Sequence, residues 1–245
     1  MTVALRALTD DLFGEVTGDS PRVLALHGWG RDRTNFAAVL DGIDAIALDL
    51  PGFGASPPPP EPWGAREYAS AVAPVLDQFA APPVVVGHSF GGRVGVCLAA
   101  AGLPMAGLVL AGVPLLRRPS TATSHPRYRL IRWAATRGLI GDERLEAARR
   151  KYGSADYRAA EGVMREVLVR VVNETYEDEL SKVTVPVRLL WGKSDTAAGP
   201  WIVDEALDLL GVDAGATIVD GGHDVVFEQP DLLRAVIAEL EGPRG

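Results

Sequence analysis

The sequence has almost no cysteine. Among 245 residues the one example is Cys97, which rules out an intramolecular disulfide framework and fits a reducing compartment. Cys97 itself is expected to be a small buried residue on a helix. Positive charge is also in deficit: 24 Lys plus Arg stand against 32 Asp plus Glu, a formal charge of −8. No long basic run offers a footprint for nucleic acid, so a nucleic-acid partner is not expected. The first eleven residues lack a continuous apolar stretch and carry acids early, so no secretory signal is expected and the cytoplasm is the expected location. Long hydrophobic runs are scarce. Val94 to Leu116 is uncharged and mostly apolar over 23 residues, long enough in principle to cross a bilayer. Gly102, Pro104, Gly107, Gly112 and Pro114 cut it into helix, turn and strand, and no membrane partner is expected. There is no internal repeat, and no cofactor or metal site is expected. What is present is a chain 47% hydrophobic, long enough for one large α/β domain or two small ones.

Apolar β-branched runs alternate with helical periodicity along most of this length. Val3–Leu8 and Leu12–Thr17 flank the turn signal Thr9-Asp10-Asp11 and predict an antiparallel hairpin at a sheet edge. Strands then follow at Arg22–Leu26, Ala45–Leu48, Val84–Val86 and Gly107–Ala111, separated by helices at Thr34–Leu40, Arg66–Phe79 and Phe90–Ala101. Pro57 to Pro60 with Glu61-Pro62 is a polyproline-prone spacer. The βαβ order implies a parallel sheet. From Pro114 to Lys182 the alternation stops and only helical patterns remain, at Tyr128–Thr136, Asp142–Lys151 and Ala159–Val172. It resumes with strand Val187–Trp191, helix Pro200–Leu210, strand Thr217–Val219 and a last helix, Asp231–Leu240, opened by Pro230. The expected organisation is an α/β core of residues 1–113 and 183–245, carrying a helical cap of residues 114–182.

In a parallel sheet, ligands bind outside the carboxyl ends of the strands, and the residues there carry chemistry. Gly87-His88-Ser89-Phe90-Gly91 lies between the strand Val84–Val86 and a small-residue helix, which is the setting of a nucleophile elbow. Asp195 follows the strand ending at Trp191, and His223 follows the strand ending at Val219. A serine hydroxyl is a weak nucleophile until a neutral imidazole accepts its proton, and that imidazole needs an acid on its other nitrogen to hold one tautomer. His223, within the flexible Asp220-Gly221-Gly222-His223, is the expected base. His27 and His88 sit beside the nucleophile and oxyanion positions, where a backbone role is expected, and His125 falls in the cap. Asp195 is the expected acid: Asp220 and Asp224 are too close in sequence to His223, Asp204 lies on a helix, and Ala111-Gly112-Val113-Pro114 holds no carboxylate. The two N–H donors that a tetrahedral intermediate requires are expected from Phe90 and from Trp29 in His27-Gly28-Trp29-Gly30.

These stretches, together with Asp49-Leu50-Pro51-Gly52-Phe53-Gly54-Ala55-Ser56, Trp191-Gly192-Lys193-Ser194-Asp195 and Gly222-His223 with Glu228-Gln229-Pro230, resemble the α/β-hydrolase superfamily over nearly the whole chain. The resemblance implies an eight-stranded, mostly parallel sheet flanked by helices, with the helical cap between strands six and seven. It also implies a covalent acyl-enzyme resolved by water and a structural role for Asp49. Serine at position 89 disfavours the epoxide and halide chemistries of relatives with an aspartate nucleophile. The loop lacks the Gly-Pro-Gly of carbon–carbon bond hydrolases and no tryptophan follows His223. The first stretches look more like carboxylesterases, including the pimeloyl-carrier methyl ester esterases. The expected reaction is hydrolysis of small to medium carboxylic esters, with lactones and thioesters inside the same chemistry. A non-catalytic small-molecule receptor, a cofactor-free perhydrolase and a carbon–carbon bond hydrolase are the alternatives on the same fold. Residues 117–170 hold 13 Lys plus Arg against 6 Asp plus Glu, so a basic cap could guide an anionic ester, although a solvated helical face has the same composition. Tyr128, Trp133, Met164 and Leu168 are candidates to line an acyl pocket or, equally, to form the core of the cap.

Overall fold

A computed structural model describes residues 4–118, 131, 133–135, 137–152 and 154–241. The apolar runs become strands whose side chains alternate between two faces, and both faces are buried. Leu24, Leu26, Val85, Leu108, Leu110, Leu189 and Trp191 enter one core, under the helices Ala65–Val72, Phe90–Ala100 and Trp201–Leu209. Val23, Ala25, Val84, Val86, Val109, Ala111 and Leu190 enter the other, under Ala37–Leu40 and Pro230–Glu241. A layer of helices therefore covers each face of one sheet.

The described strands are β1 (Ala4–Ala7), β2 (Phe13–Thr17), β3 (Val23–Leu26), β4 (Ala45–Asp49), β5 (Val84–His88), β6 (Gly107–Ala111), β7 (Val187–Gly192) and β8 (Ala214–Val219). They form one eight-stranded sheet in the order β1-β2-β4-β3-β5-β6-β7-β8. The hairpin β1–β2 and its pairing to β4 are antiparallel, and every other pairing is parallel. The register places His88 opposite Ala111, Ala111 opposite Leu190, and Gly192 opposite Val219. The carboxyl ends of β5, β6, β7 and β8 thus finish along one edge, and the residues that follow them meet there.

Several elements differ from the sequence reading for local reasons. The stretch expected as the helix Arg66–Phe79 is α-helical over Ala65–Val72 and changes to 3₁₀ over Ala73–Gln78, because Pro74 has no N–H for the α ladder. The stretch expected as Thr34–Leu40 opens as a 3₁₀ turn, Arg33–Phe36, capped by the Asp32 side chain accepting from the Thr34 N–H. β8 begins at Ala214, three residues earlier than expected, because pairing to β7 recruits the weak strand formers Ala214-Gly215-Ala216. The segment between β6 and β7 contains helices Asp142–Tyr152, Ala155–Ala159, Gly162–Val171 and Glu177–Leu180. The expected single helix Ala159–Val172 is interrupted where Glu161 is extended and Gly162 has φ +51°. Most of the expected helix Tyr128–Thr136 lies outside the described residues, although 131 and 133–135 are helical. Among the described residues no helix is long and apolar enough to cross a membrane.

Candidate active site

The turn from β5 into the helix Phe90–Ala100 has to be abrupt, and two glycines make the space for it. A Cβ on Gly91 would lie 2.1 Å from the Leu26 carbonyl oxygen, and one on Gly87 would lie 2.4 Å from the Gly92 Cα. Between them Ser89 adopts φ +49°, ψ −111°, the one positive φ of a non-glycine residue among the described residues. Such a conformation costs about 1–3 kcal/mol and persists only when its surroundings hold it. Here the Ser89 N–H donates to the Ala111 carbonyl at 3.0 Å and the Ser89 carbonyl accepts from the Gly92 N–H at 3.2 Å. The hydroxyl is thereby presented at the sheet edge.

His223 and Asp195 meet it there. His223 Nε2 lies 2.9 Å from Ser89 Oγ, and His223 Nδ1 lies 2.8 Å from Asp195 Oδ2. The Asp195 side chain is fully buried. Its second oxygen, Oδ1, accepts from the backbone N–H groups of Ala197 and Ala198 at 2.8 and 2.7 Å. A carboxylate can only accept, so Nδ1 carries the imidazole proton and Nε2 turns its lone pair toward the serine hydroxyl. Both ends of the chain of hydrogen bonds are therefore oriented by rigid backbone.

The loop after β3 completes the edge. His27 is buried between two backbone groups: Nδ1 donates to the Gly28 carbonyl at 2.8 Å, and Nε2 accepts from the Leu50 N–H at 3.0 Å. Burial holds its protonation below the ordinary histidine range, which keeps that donor–acceptor pattern. The Arg31 N–H also donates to the Gly28 carbonyl, at 3.2 Å. In a planar trans peptide the C=O and the following N–H point in opposite directions, so these two bonds aim the Trp29 N–H the other way. Neither that N–H nor the one on Phe90 has an acceptor among the described residues, and both residues line the same cleft as Ser89. The Trp29 ring is fixed edge-to-face against Phe53 and Phe90, with centroids 5.0 and 5.6 Å apart.

A model of the alpha/beta hydrolase family matches residues 23–236. The chain belongs to the alpha/beta hydrolase family. It is 32% identical to Lipase LipV of Mycobacterium tuberculosis (strain ATCC 25618 / H37Rv) in an alignment covering 91% of this chain and 94% of that one. A shorter stretch, 34% of the chain, is 42% identical to 33% of the pimeloyl-[acyl-carrier protein] methyl ester esterase of Chromobacterium violaceum. Among solved structures, a hydrolase from Pseudomonas aeruginosa PA01 superposes with a TM-score of 0.72 over 98% of both chains at 18% identity, a likeness of fold.

In this alpha/beta hydrolase the serine opens into a cleft of about 1140 Å³. Leu168 lines it. Trp133 and Met164 do not: Trp133 is 48% exposed under the Arg137 guanidinium, and the Met164 sulfur packs toward Tyr68, 3.9 Å from its hydroxyl. Tyr128 lies outside the described residues. Asp49 stays away from the cleft and ties its own loop, accepting from the Arg33 N–H, the Arg33 guanidinium and the Ala55 N–H at 2.7, 2.7 and 2.8 Å. Cys97 is buried, and its thiol is pushed up to about 12 by burial, which leaves it inert.

One histidine does more than its place in the elbow suggested. His88 is buried, its Nε2 donates to the His223 carbonyl at 3.0 Å, and its Nδ1 has no hydrogen-bond partner among the described residues. A side chain is thus fastening the loop that carries His223. Burial pushes the His88 imidazole down to about 4 from 6.5. The unfolded chain then binds a proton between those values that the folded chain does not. Stability should be fully present above pH 6.5 and fall as pH drops toward 4, by about 3 kcal/mol in all, with His27 adding in the same direction. Urea midpoints at pH 7.0 and 4.5 check this, and equal midpoints would refute it.

Proposed function

We propose that the protein is a serine esterase acting on small to medium carboxylic esters, with lactones and thioesters inside its chemical range. The observation that carries this is the hydrogen-bonded chain from Ser89 Oγ through His223 to Asp195, at 2.9 and 2.8 Å, opening on the cleft. In this reading His223 Nε2 takes the Ser89 proton as Oγ attacks the ester carbonyl. The negative charge gathering on the carbonyl oxygen is met by the Phe90 and Trp29 N–H groups, and the imidazolium by Asp195. Collapse breaks the bond to the alkoxy oxygen, which leaves as alcohol with the proton from His223. Water, deprotonated by His223, then attacks the acyl-enzyme, and the acid departs as Ser89 recovers its proton. Residues 114–182 act as a cap over the cleft, supplying Leu168 to its wall. The whole-length similarity to a lipase and the local similarity to a methyl ester esterase support the ester reading.

Stopped-flow hydrolysis of p-nitrophenyl acetate and butyrate tests it. The expected result is release of about one equivalent of p-nitrophenol in a burst, followed by steady turnover. A single slow round followed by a stalled protein would overturn the esterase reading in favour of a receptor.

A further inference from the structure

Four arginines line the cleft, Arg31, Arg93, Arg117 and Arg118, and they divide into two kinds. Arg31 pairs with Asp224 at 3.1 Å. Arg118 pairs with Glu205 and lies over the Trp201 ring, 4.2 Å from its centroid. Arg93 and Arg117 have no carboxylate within ion-pairing distance among the described residues. The Arg93 Nε and Nη1 donate to the Pro114 and Val171 carbonyls at 3.0 and 2.6 Å. Arg117 Nη1 donates to the backbone and side-chain oxygens of Asn173 at 3.3 and 3.0 Å.

Arg93 is only 8% exposed, and a guanidinium taken out of water without an ion pair is expensive. Burial weakens its hold on the proton; the Tyr176 ring beneath it and the Glu174 carboxylate beyond, which accepts from the Tyr176 hydroxyl, act against this, and the Arg117 charge adds to it. It sits four residues after Ser89, in the first turn of the helix Phe90–Ala100 that Ser89 precedes, and helical side chains lean toward the N-terminus, so its charge is carried back toward the serine, with which it lines the cleft. Asp156 is the single acidic side chain on this wall without a partner among the described residues. Among the described residues that line the cleft, two cations without an ion pair thus stand against one carboxylate, since Glu174, which also acts on Arg93, is paired with Arg170, and the positive excess faces the space where a substrate would lie. That surplus fits a monoanion better than a dianion, which Asp156 would repel.

We infer that Arg93 and Arg117 form an anion subsite of this cleft, so that the preferred ester carries a free carboxylate on the part of the molecule remote from the bond being cleaved. This rests on the esterase reading of Ser89 and goes beyond it by naming the substrate class. The anion replaces the missing counter-charge, and guanidinium–carboxylate bonds are among the strong hydrogen bonds. The subsite touches no reacting atom, so its contribution is to binding and appears mainly in KM.

The experiment compares matched pairs: monoethyl adipate with ethyl hexanoate, which puts the carboxylate on the acyl side, and 6-acetoxyhexanoate with hexyl acetate, which puts it on the alkoxy side. For one of the two pairs the carboxylated ester is expected to have a kcat/KM about tenfold or more above its neutral partner. Arg117→Gln and Arg93→Lys should each lower that ratio severalfold, chiefly by raising KM for the carboxylated ester. Arg93→Lys keeps a cation and donors for the two carbonyls, and circular dichroism would confirm that it folds. Calorimetry on the Ser89→Ala protein measures binding of the same esters without turnover. Equal kcat/KM within both pairs, or a ratio unmoved by both substitutions, would overturn the anion subsite while leaving esterase activity intact. Tight, Arg117-dependent binding of the carboxylated ester to Ser89→Ala, with no turnover by the native protein, would keep the subsite and overturn the esterase reading.

Discussion

Ser89→Ala is expected to lower kcat for p-nitrophenyl butyrate by about 10⁶, the scale reached when a triad nucleophile is removed from a serine protease. The size follows from what remains. On the proposed mechanism, His223 without Oγ has no hydroxyl to deprotonate, and the Phe90 and Trp29 N–H groups can polarise a carbonyl only for attack by water that nothing positions. The fold should survive, because among the described residues the hydroxyl's one hydrogen bond is to His223 Nε2, while the bonds that hold the turn belong to the Ser89 backbone. Alanine retains a Cβ at φ +49°, so the strain remains and the thermal midpoint should stay within a few degrees of the native value. The readouts are single-turnover kinetics and thermal denaturation side by side. A variant that retains a tenth of the native rate with an unchanged melting curve would show that Ser89 is not the nucleophile.

The elements legible in the sequence were those set by local rules. The apolar runs Val84-Val85-Val86 and Leu108-Val109-Leu110 form central strands because a parallel sheet buried on both faces needs continuous apolar segments. The Ser, Asp, His order was readable because each residue sits just after a strand, and parallel pairing brings strand ends together. Elimination in the sequence points to Asp195 as the carboxylate that meets His223, and it does meet it at 2.8 Å, although nothing in the sequence indicates that Ala197 and Ala198 donate to its second oxygen.

Side-chain work done over long separations was not legible. His27 and His88 stand in sequence beside the nucleophile and oxyanion positions, where a backbone role is the expectation, whereas their imidazoles fasten Gly28, Leu50 and His223. Arg93 carries a signal of its own: it is the one charged residue in Phe90–Ala100, a helix otherwise apolar and buried from Phe90 to Ala99, and a lone charge in such a place needs a reason. Trp133 and Met164 are apolar side chains of the expected cap, which makes each a candidate for pocket wall or cap core. Spacing fixes which residues share a helix face, and it leaves open what that face meets. Arg137 and Tyr68 decided that in the folded chain.

Asp195→Asn should cost about 10⁴ in kcat with little loss of structure, and the reason lies in the three bonds at that carboxylate. An asparagine can keep its carbonyl oxygen where Oδ1 is now, accepting from the Ala197 and Ala198 N–H groups. Its NH₂ then replaces Oδ2 and faces His223 Nδ1, now 2.8 Å from the acid. Two N–H groups cannot share that space, so the imidazole proton moves to Nε2. Nε2 can then only donate toward Ser89 Oγ, and the base is lost although every heavy atom stays in position. Reversing the amide would restore the tautomer but leave the Ala197 and Ala198 N–H groups facing an NH₂, which costs more than it recovers. An Asp195→Ala protein separates tautomer from charge, since its ring can carry the proton on either nitrogen and exchange between them. Asp195→Ala should therefore retain as much activity as Asp195→Asn or more, despite the larger change in volume. Single-turnover acylation rates for the three proteins, with one-dimensional proton spectra of the imidazole N–H, provide the test. An Asp195→Asn protein acylating within tenfold of the native rate would remove Asp195 from the proton-transfer chain and leave its two backbone bonds as its whole function.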